Sequence, residues 1–310
     1  MARSLRDLRR KMKAIKSTRQ VTKAMELVSA SKMRRAVQNA QLLRRYALTA
    51  WAILQKLAAA HTGTHPWLQE RPVKKVLAII FTSDRGLCGS LNTQLFRALN
   101  QYVNGLKKIN SFEKIDFIAI GRKGQQFLAR TGQNVVAAFP ALSNHPKFSD
   151  VLPMTRMALE GFRKGDYDHV VILYTDFISA LAQEPGAKVL LPFSETELKK
   201  MIEGLSPDKR QTKEAQEAMK YEVPASEYVF EPSEEDVLDR ILPQLTEMQV
   251  YQAVLESAAS EHSARMVAMR SASDNASDIL YDLTLSYNQT RQGNITAELA
   301  ELSASKAALD

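Results

Sequence analysis

Neither glycine nor proline occurs in the first 62 residues, and apolar side chains recur there in steps of three and four. Leu5, Leu8, Met12 and Ile15 begin the series, and Val21, Met25 and Val28 continue it. After a break at residues 29–35 it resumes as Ala36, Ala40, Leu43, Ala47, Ala50, Leu54 and Leu57. This is the a/d seam of a coiled coil. Nothing in the sequence stops the helix before Gly63 and Pro66. About 57 residues rising 1.5 Å each give a rod of roughly 85 Å. Such a rod cannot fold back into a compact domain and needs a partner along its length.

The C-terminal segment repeats the pattern. Leu238, Ile241, Leu245 and Met248 lead into a stretch of small residues at 257–264. Met266, Met269, Ala276, Leu280, Leu283 and Tyr287 then carry the seam on to Ile295, Leu299 and Leu302. Pro243 predicts a kink or a restart, and Gly293 weakens the helix locally by about 1 kcal/mol. The Ala and Ser residues let a neighbouring backbone approach closely, and they also predict a smooth surface with few protrusions. The two segments carry opposite charge. Residues 1–58 hold fifteen Lys/Arg against Asp7 and Glu26, whereas residues 233–310 hold five against thirteen Asp/Glu. Complementary helices at opposite ends of a chain are placed to pair antiparallel, as a shaft with the middle of the chain folded at one end. Their register is open, and Ala36 facing Ala276 is a trial pairing. The final apolar residues extend past any partner from the first helix and should project alone.

The middle of the chain reads as α/β. Residues 76–82 (VLAIIFT), 115–120 (IDFIAI), 135–139, 170–174 and 189–193 have the length and continuous apolar character of buried strands. Helical stretches at 91–107, 125–130 and 150–164 alternate with them. Strands apolar on both faces predict a Rossmann-like, mostly parallel sheet covered on both sides. The expected organisation is a long helix over 1–58, an α/β domain over 59–232 with a polar insertion at 194–232, and a second long helix over 233–310.

Motifs for chemistry are weak. The loop SDRGLCGSLN (83–92) joins a strand to a helix and could cradle a phosphate on backbone N–H groups, with Arg85 adding charge. Its spacing is neither that of a dinucleotide fingerprint nor that of a P-loop, and Gly86 and Gly89 serve equally as turn residues. The loop GRKG (121–124) is no stronger. Cys88 is the single cysteine, so no intrachain disulfide can form, and a reducing compartment is expected. The histidines His61, His65, His145, His169 and His262 have no metal-ligand spacing. No catalytic residue, cofactor site or metal site is therefore expected. No apolar run approaches the ~18–20 residues that span a bilayer. The Arg-rich start resembles a transit peptide in composition, but the helical pattern runs far past any cleavage point. A basic helix can also bind nucleic acid, yet an acidic helix of matching length lies in the same chain and makes self-pairing the simpler expectation.

Four segments carry a family resemblance: VTKAMELVSASKMRRA (21–36), TSDRGLCGSLN (82–92), SEHSARMVAMRSASDNA (260–276) and YNQTRQGNIT (287–296). Together they closely resemble the γ subunits of F-type ATP synthases. The resemblance implies a non-catalytic central rotor shaft that couples proton-driven rotation of a membrane c-ring to conformational cycling of the catalytic β subunits. It implies α, β, ε and the c-ring as partners, no nucleotide bound directly, and a peripheral position on the cytoplasmic face of a bacterial inner membrane. Arg291 and Gln292 match positions that hydrogen-bond a β-subunit loop, and Met25 matches one beside the acidic lever of β. Lys23 and Arg34 are further contact candidates on charge alone. With only Cys88, the chain lacks the regulatory dithiol of the chloroplast form. The alternative expectation is a stand-alone α/β phosphate-binding enzyme whose helical arms serve oligomerisation.

Overall fold

The computed structural model describes residues 5–60, 67, 69, 71–144, 146–192 and 234–307, with backbone alone for 44–60, 234–235 and 306–307. The expected insertion at 194–232 lies outside the described residues. Ten elements follow in order: α1 (Leu5–Ala60), β1 (Lys75–Phe81), α2 (Leu91–Leu106), β2 (Lys114–Ile120), α3 (Arg122–Arg130), β3 (Asn134–Phe139), α4 (Phe148–Lys164), β4 (His169–Phe177), β5 (Gln183–Leu191) and α5 (Glu234–Ala307). The chain divides into two compact units, one of Met1–Ala30 with Arg265–Asp310 and the other Ser31–Ala264.

In the Ser31–Ala264 unit, the strands form one sheet in the order β3-β2-β1-β4-β5. The first four are parallel, with Val76 opposite both Ile115 and His169. The reason is visible in β1, where every residue from Val76 to Phe81 is buried. A strand apolar on both faces needs cover on both, and crossover helices supply it. Leu95, Leu99 and Val103 of α2 with Leu128 of α3 cover Val76, Ala78 and Ile80. Met154, Ala158 and Phe162 of α4 cover Leu77, Ile79 and Phe81, joined by Leu238, Leu242 and Leu245 of α5. The C-terminal helix thus completes the second layer of the domain, each buried leucine contributing on the order of 2 kcal/mol. Pro243 is carried inside a continuous helix, so the expected restart does not occur.

Strand β5 is longer than expected and, among the described strands, is the one antiparallel member of the mostly parallel sheet. It begins at Gln183 and runs antiparallel to β4, pairing Phe177 with Gln183 across a turn closed by Ser179 N–H to Ala182 O. Pro185 and Gly186 hide this half of the strand from a sequence reading. An edge strand tolerates them because one side of its backbone has no ladder partner.

Where β1 meets β2 the backbones approach closely. Gly121 has φ +91°, and a Cβ there would lie 2.1 Å from the carbonyl oxygen of Thr82. Thr82 Oγ1 donates to Ile120 O and accepts from Gly124 N at 2.8 Å.

In the other unit the two helical segments form a seam. On α1, Leu8, Thr22 and Ser29 are buried and Ile15 is half-buried, seven residues apart. On α5, Met269 and Ala276 are buried and Leu283 and Thr290 half-buried, again seven apart. Such a repeat keeps one stripe facing the partner helix. Arg9 Nη2 donates to Tyr287 Oη at 2.6 Å and the guanidinium lies over the ring. The remaining seam residues run forward from Arg9 on α1 and backward from Tyr287 on α5, so the pairing is antiparallel. The Ser31–Ala264 unit keeps the same index relation, with Ala36 packed on Ala258 and Ala259. The trial pairing of Ala36 with Ala276 is therefore wrong by more than four turns.

Two seam expectations also fail. Val21 and Val28 are 55% and 54% exposed, while Thr22 and Ser29 beside them take the seam. The apparent break at 29–35 is no break, because Ser29 (3% exposed) and Ala36 continue the repeat with small side chains. Residues 291–305 of α5 are all exposed, as expected of a segment beyond the reach of α1.

Two outcomes test this packing. In a Cys88→Ser background, Ala36→Cys paired with Ala259→Cys forms an intrachain disulfide under mild oxidation, and Ala36→Cys with Ala276→Cys does not. Gel mobility separates the two, and crosslinks found only between chains would contradict the seam. Gly121→Ala lowers stability by roughly 3 kcal/mol or more in urea unfolding, because both the positive φ and the Thr82 carbonyl oppose a methyl group. A loss under ~1 kcal/mol would show that the β1–β2 junction has slack.

Candidate functional site

The two glycine loops lie at the carboxyl ends of the strands, where open α/β sheets bind their ligands. Here they bind each other. Asp84 Oδ1 accepts from Arg122 N at 2.8 Å and from Ala141 N at 3.2 Å. Its carboxylate takes the position at the start of α3 that a bound anion would need. Lys123 N donates to Ser83 O, and the Asn92 amide brackets Ser83, its Nδ2 donating to Ser83 Oγ at 2.7 Å and, at 3.5 Å, to Cys88 Sγ. Helix α5 lies over the same edge. Val254, Ala258 and Glu261 with Phe81, Thr82 and Ser143 leave a cleft of about 10 Å³, room for a single water. The geometry is that of a structural junction between the two loops and helix α5.

Displaced acidities are likewise tied to structure. At Asp116 burial pushes the carboxyl pKa up, but hydrogen bonds from Lys114, Asn134 and Tyr167 outweigh it and hold the group below its usual value. These contacts, at 2.8, 2.8 and 3.1 Å, knit β2, β3 and the start of β4 together. A second cluster joins Tyr174, Asp176 and Lys188 of the sheet to Gln252 and Glu256 of α5. Among the described residues, no three His, Cys, Asp or Glu side chains come together as a metal site.

What the structure offers instead is surface. In the unit formed by the two chain ends, Val21, Leu27 and Val28 of α1 and Tyr281, Leu285 and Leu299 of α5 are large and exposed. Arg10, Lys11, Lys13, Lys16 and Arg19 are also exposed. The positive charge of α1 therefore faces outward, and the seam between the helices is made by small and apolar side chains. Apolar side chains exposed in number beside basic ones mark a protein-contact surface. Among the described residues, no helix is long and apolar enough to cross a membrane.

The expected contact residues are spread over this surface. Arg291 and Gln292 are exposed on α5 just beyond Tyr287. Met25 is half-buried at the edge of the seam, roughly 30 Å along the axis from Arg291 by helical rise. Lys23 is exposed, with its ammonium 2.9 Å from Glu26 on the same helix. Arg34 is exposed in the Ser31–Ala264 unit.

Of the two expectations for the small residues at 257–264, the close approach of neighbouring backbone holds and the smooth surface does not. Ala258, Ala259, Ser260, Glu261, His262 and Ser263 are all buried, so these small residues form a docking face, and the smooth exposed surface expected of them does not exist. Ser260 Oγ donates to Thr175 O and Ser263 Oγ to Ala180 O, while the His262 ring meets Ser143 O at 2.9 Å. A polar stretch between two apolar seams was the available signal, since hydroxyls spaced three and four apart can bond backbone that comes close.

With this geometry established, comparison with known proteins is informative. A family model described as ATP synthase matches residues 4–309. The ATP synthase gamma chain of Roseiflexus sp. is 41% identical over 309 residues, covering 99% of this chain and 98% of that one. That of Herpetosiphon aurantiacus is 40% identical, covering 99% of both. A chain in the Euglena gracilis mitochondrial ATP synthase OSCP/F1/c-ring structure shares the fold, with a TM-score of 0.62 and 21% identity over 98% of this chain and 94% of that chain. A chain in the Tetrahymena thermophila mitochondrial central stalk and c-ring structure does so too, with a TM-score of 0.57 and 23% identity over 82% of this chain and 99% of that chain. The chain belongs to the ATP synthase gamma-chain family.

Proposed function

We propose that the chain is the non-catalytic central-stalk rotor of an F-type ATP synthase. In this reading it couples proton-driven c-ring rotation to conformational cycling of the β subunits, for ATP synthesis and for hydrolysis in reverse. The observation that carries it is the exposed apolar and basic surface of the two terminal helices, which needs an enclosing partner, combined with family membership over nearly the whole chain. Its partners are the α and β subunits around the helices, with ε and the c-ring at the other end. It sits peripherally at the membrane as part of the complex, on the cytoplasmic face of a bacterial inner membrane. The working division is a helix over 1–58, the α/β domain over 59–232 and a helix over 233–310.

An asymmetric shaft inside a ring of catalytic subunits presents a different face to each. Rotation shifts the affinity of a site only by as much as shaft contacts differ between its conformations. Arg291 and Gln292 supply hydrogen bonds to a β loop, Met25 passes the acidic lever of β, and Lys23 and Arg34 face acidic stator surface. The stand-alone enzyme is the weaker reading, because family membership extends over nearly the whole chain.

Reconstitution separates the two readings. The purified chain neither binds nor hydrolyses nucleotide, and adding it to α and β subunits restores ATPase activity coupled to pumping once the membrane part is present. Nucleotide turnover by the chain alone would favour the enzyme. Within the complex, Arg291→Ala removes a charge-assisted hydrogen bond of roughly 1.5–3 kcal/mol. It lowers coupled ATPase by about tenfold or more while subunit composition is unchanged. Unaltered hydrolysis and pumping would remove Arg291 from the contact.

A further inference from the structure

Helix α5 meets the β4–β5 hairpin along one stripe. Glu256, Ser260 and Ser263 stand at i, i+4 and i+7, the spacing of a single helical face. Ser260 Oγ donates to Thr175 O at 3.0 Å and Ser263 Oγ to Ala180 O at 2.6 Å. At the head of the stripe Glu256 lies beside Asp176 of β4, near enough for the two carboxyl groups to interact. Two carboxyl groups can share a hydrogen bond only if one of them carries a proton. The rest of the cluster fixes which charges surround that proton. Lys188 of β5 donates to Asp176 Oδ1 at 2.9 Å and to Tyr174 Oη at 2.7 Å, and Gln252 Nε2 donates to Glu256 Oε1 at 2.7 Å. Helix α1 meets this part of α5 through Ala36 and Val37, which are apolar.

We propose that the Asp176–Glu256 pair is a proton-operated latch that ties the β4–β5 hairpin to helix α5. With the pair singly protonated, one carboxylate is balanced by Lys188 and the two carboxyls are joined by a real hydrogen bond. Opening the latch puts both groups into water, where the shared proton leaves to solvent as H⁺ and two carboxylates remain. Reclosing requires one proton to be taken up. The hairpin is thus held more firmly at low pH and released progressively as pH rises.

The acidities agree in direction. Burial and the neighbouring Asp176 push Glu256 up to about 8 from 4.5. Asp176, raised by burial, is lowered overall by its bonds to Glu256 and Lys188. For a carboxyl raised in the closed form, the stabilisation is fully present below about 4.5 and is lost as pH rises through about 8. The Asp176 and Lys188 side chains are 30% and 37% exposed, so the proton can exchange with solvent. The latch is independent of the rotor reading, since it concerns only how two parts of this chain hold together.

Amide hydrogen exchange on the full-length chain tests it, with rates corrected for the intrinsic effect of pH. Protection of residues 176–186 falls about tenfold per pH unit between pH 6 and 8, since one proton leaves on opening, and levels off above that range. In Glu256→Gln, which keeps the shape and donates its own N–H, protection of the hairpin stays level across the range. In Lys188→Gln, loss of the cation makes the proton harder to remove, so levelling occurs at higher pH. A wild-type profile that is flat after correction would overturn the latch. So would a Glu256→Gln profile with the wild-type slope, or a levelling point unmoved or lowered in Lys188→Gln. Helix α2 serves as an internal reference whose protection is the same in all three proteins.

Discussion

Helix α5 must satisfy three environments in succession along one uninterrupted backbone. Over 238–254 it is a helix of the α/β domain, and its leucines fill the core against the sheet. Over 258–263 every residue is buried although most are Ala or Ser, and hydroxyls bond the backbone carbonyls of adjacent segments. From Met269 to Thr290 a stripe of residues three and four apart, such as Met269, Ser273 and Ala276, is turned away from solvent, and over 291–305 all side chains are exposed. A helix normally advertises its environment through one periodic face. This one changes environment within a few turns.

The same dependence on environment explains what could be read in advance. The strands and helices of the α/β domain were legible because a strand buried on both faces has a continuous apolar signature, as in Val76–Phe81. The half of β5 around Pro185 was illegible, since an edge strand need not be apolar and can hold proline. The seam was legible at Leu8 and Ala276 and illegible at Thr22 and Ser29. There the close approach of two helices favours small side chains over greasy ones, and the eye is drawn to Val21 and Val28, which face out. The candidate site followed the same division. Arg291 and Met25 came from family resemblance, and the structure puts both on the two-helix unit. The Asp176–Glu256 pair had no sequence signal, because its two members are 80 positions apart.

Charge gives a further lesson about scale. The basic excess of residues 1–58 and the acidic excess of 233–310 first suggest that attraction holds the helices together. The exposure of Arg10, Lys11, Lys13, Lys16 and Arg19 places that basic charge on the outer surface, where exposed pairs contribute little to stability. An outward basic surface is instead suited to steering and orienting acidic partners. In the α/β domain, Asp84 takes the N–H groups of Arg122 and Ala141.

The central claim is that this chain transmits rotation. A bead or gold rod attached at the exposed loop residue Arg85, as Arg85→Cys in a Cys88→Ser background, makes that motion visible in complexes with immobilised α and β subunits. The account predicts unidirectional, stepwise rotation that starts on adding ATP and stops when it is removed. ATP hydrolysis by the complex with the probe stationary or moving only by random fluctuation would contradict it.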